Sequence, residues 1–303
     1  MGSGTYSFSA RTVRADSLGY NTKSAREIFT ERSMNNAMNP NGVDIRESRD
    51  SIEHPESIAI ILGLDVTGSM GSIPHYLVKE GLPHIMQSII DDGVKDPQLL
   101  FLGIGDHECD RAPLQVGQFE SSDELLDHWL TTVFLEGGGG GNKGESYHLA
   151  WYFAGHHTSI DCFEKRNKKG YLFTIGDEPV LDNFPSRNVK NIMGVPQAQD
   201  YSSMELLDKA REMYNVYHLH LKQGSNGRSQ HVMDGWKQLM GDNLIIIDKK
   251  EDVSSVISEI VTTNYQSVGN EFIQESEVEI DDEPLMGDTP TFPETQTEDE
   301  MML

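Results

Sequence analysis

The sequence predicts an α/β fold: a doubly wound, mostly parallel six-stranded sheet with helices on both faces. Between residues 58 and 265, apolar runs of strand length alternate with segments whose apolar residues recur every three or four positions. Three runs, SIAIILGL, PQLLFLGIG and GYLFTIGD, are almost continuously apolar, which is typical of strands covered on both faces. Such alternation favours parallel strands joined by crossover helices.

The elements are expected in a regular order, with helices assigned from the spacing of their apolar residues. In chain order they are the strand SIAIILGL, a helix with Leu82, Ile85, Met86, Ile89 and Ile90, the strand PQLLFLGIG, a weaker edge strand LQVGQFE, a helix with Leu125, Leu126, Trp129, Leu130 and Val133, the helix ESYHLAWYFAGHH, the strand GYLFTIGD, the helix MELLDKAREMY, the strand NVYHLHLK, the helix HVMDGWKQLMG, the strand NLIIID and a closing helix with Val253, Val256, Ile257, Ile260 and Val261.

Two segments flank this region. Residues 1–57 are rich in Ser, Asn and Arg, and we interpret them as an arm that wraps the main domain, with one short helix in SAREIFTERSMNNAM. Residues 266–303 form an acidic tail that is expected to be disordered, because residues 271–303 contain twelve acidic residues and no basic one. The predicted domain lies between them, at residues 58–265.

Charge and composition exclude several classes of partner. The net charge of −25 opposes contacts with a phosphate backbone, so we expect no nucleic acid partner. No apolar run reaches the roughly 18 residues needed to span a bilayer, so no membrane association is expected. The two cysteines, Cys109 and Cys162, form no CxxC pair, which favours a reducing, cytoplasmic location.

Oxygen-bearing side chains follow two of the predicted strands. Asp65, Thr67 and Ser69 come directly after the first strand, and Asp177 follows the strand GYLFTIG. In parallel α/β sheets ligands bind outside the carboxyl ends of the strands. Carboxylates and hydroxyls are hard donors that suit Mg²⁺, or Mn²⁺ or Ca²⁺, better than zinc or copper. The sequence therefore predicts a divalent cation site here.

The segment DVTGS resembles the D-x-[ST]-x-S motif of the von Willebrand factor A domain family. This resemblance implies a metal-ion-dependent adhesion site, to which Asp65, Thr67, Ser69 and Asp177 correspond. The family places a Thr before its central helix, whereas the loop EGGGGGNKGESYHLAW has none. Glu145 falls at that position, as in a branch of the family that is often intracellular.

Three further residues are candidates near this site. Asn142 and Ser146 are alternatives to Glu145 as the ligand from the glycine-rich loop. Asp106, in GDHECD after the second strand, is a candidate for orienting ligands or water without binding the metal directly.

A phosphotransferase is the competing interpretation. LDVTGSM also resembles the first motif of the haloacid-dehalogenase family, in which Asp65 would be the nucleophile. In that pattern Asp65, Asp177 and Asp182 would hold Mg²⁺, and Lys168 or Lys169 would neutralise phosphate. Against it, FLGIGDH lacks the expected Ser or Thr, and the glycine-rich loop has no counterpart.

We therefore expect a non-catalytic, metal-dependent protein-binding domain. Its partner would supply a carboxylate or another oxygen to the open metal position, as the resemblance implies. Self-association is a further hypothesis, because the arm segment IRESRDSIEH and the acidic tail both carry carboxylates that would compete for such a site.

Overall fold

The computed structural model describes residues 4–136 and 144–277. Residues 1–264 form one compact unit and residues 265–303 a second one. Everything described below belongs to the first unit, apart from the C-terminal part of the last helix. Asn142 and most of the acidic tail lie outside the described residues, so the predictions made for them stay predictions.

Apolar runs become strands where the sequence predicts them, and several shorter strands are added. In chain order the strands are β1 (Arg46–Ser48), β2 (Ile58–Asp65), β3 (Pro97–Ile104), β4 (Leu114–Val116), β5 (Thr158–Ile160), β6 (Gly170–Gly176), β7 (Asn183–Phe184), β8 (Tyr201–Ser202), β9 (Tyr214–Leu221) and β10 (Leu244–Ile247).

The central sheet has six strands in the order β10-β9-β6-β2-β3-β4. Five strands run parallel, and β4 pairs antiparallel with β3 at one edge. Every residue of β2, β3 and β6 is buried, as expected of strands covered on both faces. The predicted fold class is confirmed, including the weak edge strand in LQVGQFE.

Helices connect and flank these strands. They are α1 (Phe8–Leu18), α2 (Ala25–Ile28), α3 (Ile73–Tyr76), α4 (Leu82–Asp91), α5 (Asp123–Thr131), α6 (His148–His156), α7 (Asp161–Glu164), α8 (Ser186–Met193), α9 (Ser203–Met213), α10 (Gln230–Met240) and α11 (Val253–Glu277). A π-helical turn, Leu77–Gly81, joins α3 to α4. No helix in the described part of the chain combines the length and apolar character needed to cross a membrane.

The arm differs from the sequence expectation in its helices. The segment SAREIFTERSMNNAM forms only α2 and a 3-10 turn, Asn36–Met38, while the longer helix α1 was not predicted. Helix α1 has no strong apolar stripe, and its ends are set by local signals. The Ser7 hydroxyl accepts a hydrogen bond from the Ala10 N–H at one end, and Gly19 adopts a left-handed conformation at the other.

A buried arginine fixes α1 to the domain. The side chain of Arg11 is 5% exposed, and its Nε donates to Asp127 Oδ1 in α5 at 3.3 Å. Its two terminal nitrogens donate to the carbonyls of Val78 and Lys79 in the π-helical turn. A π-helical turn disturbs the regular helix ladder, and here a guanidinium supplies the donors for its carbonyls. Polar rather than apolar contacts therefore hold this helix.

We expect Arg11→Ala to lower the free energy of unfolding by about 3 kcal/mol, because it leaves the carboxylate of Asp127 buried beside fewer donors. Urea denaturation followed by circular dichroism measures this change. The neighbouring Thr12 is exposed, and among the described residues its side chain bonds only to the carbonyl of Phe8 in its own helix, so Thr12→Ala should change stability by less than about 0.5 kcal/mol. Equal effects of the two substitutions would contradict the role given to Arg11.

Candidate metal centre

Adjacent strands bring the predicted acidic residues to one edge of the sheet. Asp65 is the last residue of β2, and Asp177 directly follows β6, which pairs with β2 in parallel register. Asp106 lies two residues beyond β3, the neighbour of β2 on its other side. Asp65 and Asp177 are completely buried, and Asp106 is 3% exposed. The sheet therefore places three buried carboxylates at or just beyond the carboxyl ends of three adjacent strands.

Asp65 accepts hydrogen bonds from its own turn and from Tyr147, the residue that precedes helix α6. Its Oδ1 accepts from the Thr67 N–H at 2.9 Å and from the Thr67 hydroxyl at 2.6 Å. Its Oδ2 accepts from the hydroxyl of Tyr147 at 3.1 Å. Burial raises the pKa of Asp65 to about 7, although these hydrogen bonds lower it. The nearby negative charge of Asp177 also raises this pKa. The following residues, including Ser69, form the 3-10 turn Gly68–Met70.

Glu145 is held beside this group by backbone hydrogen bonds. Its N–H donates to the carbonyl of Pro179 at 2.9 Å, and its carbonyl accepts from the N–H of Leu181 at 3.0 Å. Glu145, three residues before α6, is therefore fixed to the loop that carries Asp177. The predicted helix ESYHLAWYFAGHH begins three residues later than its sequence suggested, at His148, which leaves Glu145 in this bridge.

The carboxylate of Glu145 has an unfavourable environment. Its side chain is 7% exposed, and its Oε2 has no hydrogen-bond partner among the described residues. Burial raises its pKa to about 10, and the negative charges of Asp65, Asp110 and Asp106 add to the effect. A buried carboxylate surrounded by other carboxylates needs a counter-charge if it is to ionise.

The turn after β9, the strand that pairs with β6, orients Asp177. The N–H of Asn226 donates to its Oδ2 at 2.8 Å, while its Oδ1 is buried without a partner in the described part of the chain. Gly224 makes this approach possible, because a Cβ atom there would lie 2.2 Å from the Cγ atom of Asp177. The turn after β9 thus fixes one carboxylate oxygen and leaves the other one available.

The remaining described candidates, Asp106 and Ser146, make their hydrogen bonds to residues outside this group of carboxylates. Asp106 accepts the N–H of Glu108 at 2.8 Å, and its charge acts on Glu145. The hydroxyl of Ser146 accepts the N–H of His107 at 2.9 Å and lies 2.7 Å from His107 Nδ1, so it is engaged with that histidine. Asn142 is outside the described residues.

These side chains fit a hard divalent cation. They offer carboxylate and hydroxyl oxygens, and Glu145 Oε2 and Asp177 Oδ1 are buried oxygens without partners among the described residues. Within residues 4–136 and 144–277, no three His, Cys, Asp or Glu side chains converge as a complete metal-binding group. A cation held here would therefore depend on the hydroxyls, and on water, for part of its coordination.

Tyr147 is a residue of the site that sequence reasoning missed. It is fully buried, and its ring meets those of His218 and Trp236 edge-on, with centroids 5.1 and 5.3 Å away. The Trp236 Nε1–H in turn donates to the carbonyl of Glu178 at 2.9 Å. An aromatic cluster thus supports both Asp65 and the loop after Asp177. The sequence signal for Tyr147 was only its place two residues after Glu145.

The lysines of the phosphotransferase pattern lie far from Asp65. Lys168 and Lys169 precede the first residue of β6, at the amino end of that strand. Asp65 lies at the carboxyl end of the parallel strand β2, seven positions further along the register, which corresponds to roughly 20 Å. Asp182, the third carboxylate of that pattern, is exposed. The geometry disfavours phosphate transfer by these residues.

Comparisons with known proteins give only distant likenesses. No family model and no curated protein sequence matches the chain. Among solved structures, the pilus adhesin SpaC from Lactobacillus rhamnosus GG in its open conformation is 8% identical with a TM-score of 0.45, over 72% of this chain and 31% of the adhesin. A von Willebrand factor type A protein from Catenulispora acidiphila is 9% identical with a TM-score of 0.41, over 69% of this chain and 43% of that one.

A third solved structure is matched over almost its whole length. An aerotolerance-related membrane protein from Bacteroides fragilis is 12% identical with a TM-score of 0.40, over 67% of this chain and 97% of that one. The chain thus spans about a third of the adhesin and less than half of the Catenulispora protein. Likenesses at this level assign neither a family nor an activity.

We expect Gly176→Ala to lower the free energy of unfolding by about 3 kcal/mol, because the added Cβ would lie 1.8 Å from the hydroxyl oxygen of Tyr147. The matched control is Gly235→Ala in helix α10, where an added Cβ has no neighbour within 4 Å. The control should stabilise the protein by about 0.5–1 kcal/mol. Thermal unfolding of both variants tests this, and a neutral Gly176→Ala would show that Tyr147 is not packed as described.

Proposed function

We propose that this protein is a von Willebrand A-type domain that binds a protein partner through a divalent cation and catalyses no reaction. Asp65, Thr67, Ser69, Glu145 and Asp177 would hold Mg²⁺, or Mn²⁺ or Ca²⁺, partly through water. When bound, the cation would offer an open coordination position to a carboxylate or another oxygen of the partner.

One observation carries this proposal: buried carboxylates lie at the carboxyl edge of the sheet, and the neighbouring charges that act on Asp65 and Glu145 are negative. For Glu145 these charges are Asp65, Asp110, Asp106 and Glu178, and for Asp65 the charge is that of Asp177. A bound cation is the simplest group that compensates such a cluster. Thr67 and Ser69 of the DVTGS motif would supply neutral oxygen ligands for the cation. The Thr67 hydroxyl donates a hydrogen bond to Asp65.

The absence of catalytic chemistry is part of the proposal. A phosphotransferase would need a basic group near Asp65 to stabilise phosphate, and the lysines of that pattern lie at the opposite edge of the sheet. We also propose a reducing, cytoplasmic setting, because neither Cys109 nor Cys162 is in a disulfide and Cys109 is exposed.

Calorimetric titration with Mn²⁺ distinguishes the two functions. We expect the wild type to bind one equivalent, and Asp65→Asn and Glu145→Gln each to weaken binding at least about tenfold, because each removes a charged oxygen from the site. Asp182→Asn should bind like the wild type, since Asp182 is exposed and outside the proposed site.

The phosphotransferase alternative gives the reverse pattern. There, Asp182→Asn would lose the metal, and Glu145→Gln would keep it. Hydrolysis of a general phosphate ester by the wild type, abolished in Asp65→Asn, would add to that result. Such an outcome would overturn the proposed function.

Metal removal should destabilise the protein. A ligand present at 100 times its dissociation constant stabilises the folded state by about 2.7 kcal/mol. For a domain of this size, each kcal/mol corresponds to about 2–4 °C in Tm. We therefore expect Tm to fall by about 5–10 °C when EDTA replaces saturating Mg²⁺. Asp65→Asn, if weakened tenfold, should show only about half of this difference, and equal wild-type Tm values in the two buffers would contradict a bound cation.

A further inference from the structure

A cavity of about 470 Å³ lies between the arm and the metal motif. Thr67 and Gly68 of the DVTGS segment line one side, and residues of α2 and the segment after it, including Arg26, Phe29 and Arg32, line the other. Phe134 contributes to the wall. The cavity is therefore a recess whose wall includes one of the residues proposed to hold the cation.

Two arginines of this cavity have no partner. Arg26 and Arg32 are exposed, and no hydrogen bond or ion pair involves the side chain of either in the part of the chain that the structure describes. The protein as a whole has 49 acidic and 24 basic residues, so acidic partners for arginine are abundant. Arg26 and Arg32 therefore bring two guanidinium groups without such partners to the cavity that Thr67 also lines.

The acidic residues of the same cavity have other contacts. Glu31 accepts a hydrogen bond from Asn35 Nδ2 at 3.0 Å. Glu136 is 8% exposed and accepts from Arg111 Nε at 3.0 Å, while the Arg111 guanidinium lies 5.2 Å from the centre of the Phe134 ring. The carboxylates are therefore engaged or buried, whereas Arg26 and Arg32 remain available to a group that enters the cavity.

We propose that this cavity is a second binding subsite, which holds a carboxylate of an acidic peptide segment of the partner between Arg26 and Arg32. The inference rests on the proposed function, since a neighbouring carboxylate of the same segment would reach the cation beside Thr67. Arginine suits this role because its planar guanidinium binds carboxylates in a bidentate manner. The partner is thus a segment with at least two acidic residues.

Charge favours an acidic peptide over an extended polyanion. A short segment places a few carboxylates at the cavity and the cation, where positive groups are concentrated. A nucleic acid would lay a long row of phosphates along a surface whose net charge is −25, which opposes its approach. The subsite is therefore matched to a ligand that is small and locally acidic.

Fluorescence anisotropy with fluorescein-labelled hexaglutamate tests the subsite, and labelled hexaglutamine is the uncharged control. In Mg²⁺ buffer we expect Arg26→Gln/Arg32→Gln to bind hexaglutamate about tenfold more weakly than the wild type, because two charged contacts are lost. Calorimetry with Mn²⁺ on the same variant should give the wild-type affinity, since neither arginine belongs to the proposed metal site.

The matched charge control is Lys95→Gln/Lys169→Gln. Both lysines are exposed, and each lies just before a strand, at the amino edge of the sheet, outside the cavity. This variant should bind hexaglutamate like the wild type, which separates a local subsite from a general charge effect.

The outcomes separate the two claims. Hexaglutamate binding that needs Mg²⁺ but is unchanged in Arg26→Gln/Arg32→Gln would overturn the subsite and leave the proposed function standing. Equal weakening in the two double variants would also overturn it, because the effect would then be one of net charge. A wild type that fails to bind Mn²⁺ would overturn the proposed function, and this inference with it.

Discussion

The main physical constraint on this structure is a set of carboxylates buried at one edge of the sheet, whose hydrogen bonds in the described part of the chain come from hydroxyl and backbone N–H groups. Asp65, Asp177 and Glu145 are all at most 7% exposed. Removing such groups from water costs several kcal/mol for each ion unless a counter-charge is present. A cluster of this kind is not a means of stabilising a fold. It persists because the continuous apolar burial of β2, β3 and β6 supplies stability independently of it.

The surroundings fix these carboxylates from several directions. The backbone bridge at Glu145 joins the start of α6 to the loop after β6, and the N–H of Asn226 fixes Asp177 from the turn after β9. The Tyr147 hydroxyl donates to Asp65, and the Tyr147 ring packs edge-on against Trp236. Because four separate segments converge, the positions of the oxygens are set by the core and not by the acidic residues themselves. Such preorganisation is what a binding site requires.

The sequence predicted the sheet and the acids at its edge, because both follow from local patterns. A continuous apolar run indicates a buried strand, and an Asp at its end is visible in the same ten residues. Contacts such as Tyr147 with Asp65 or Asn226 with Asp177 join residues 82 and 49 positions apart, so no local pattern encodes them. Helix α1 was not predicted for a related reason. A polar contact of Arg11 with a distant residue, and not an apolar stripe, holds this helix in place.

The arm therefore contributes more than a cover for the domain. Its first helix is fixed by Arg11 to the π-helical turn that follows α3, the helix entered directly from the DVTGS turn. Its second helix contributes Arg26 to the cavity that Thr67 also lines. In a chain of net charge −25, long-range repulsion opposes any acidic partner, and positive groups must act at short range to offset it. In the proposed subsite, Arg26 and Arg32 of the arm, which line the same cavity as Thr67, would meet that requirement.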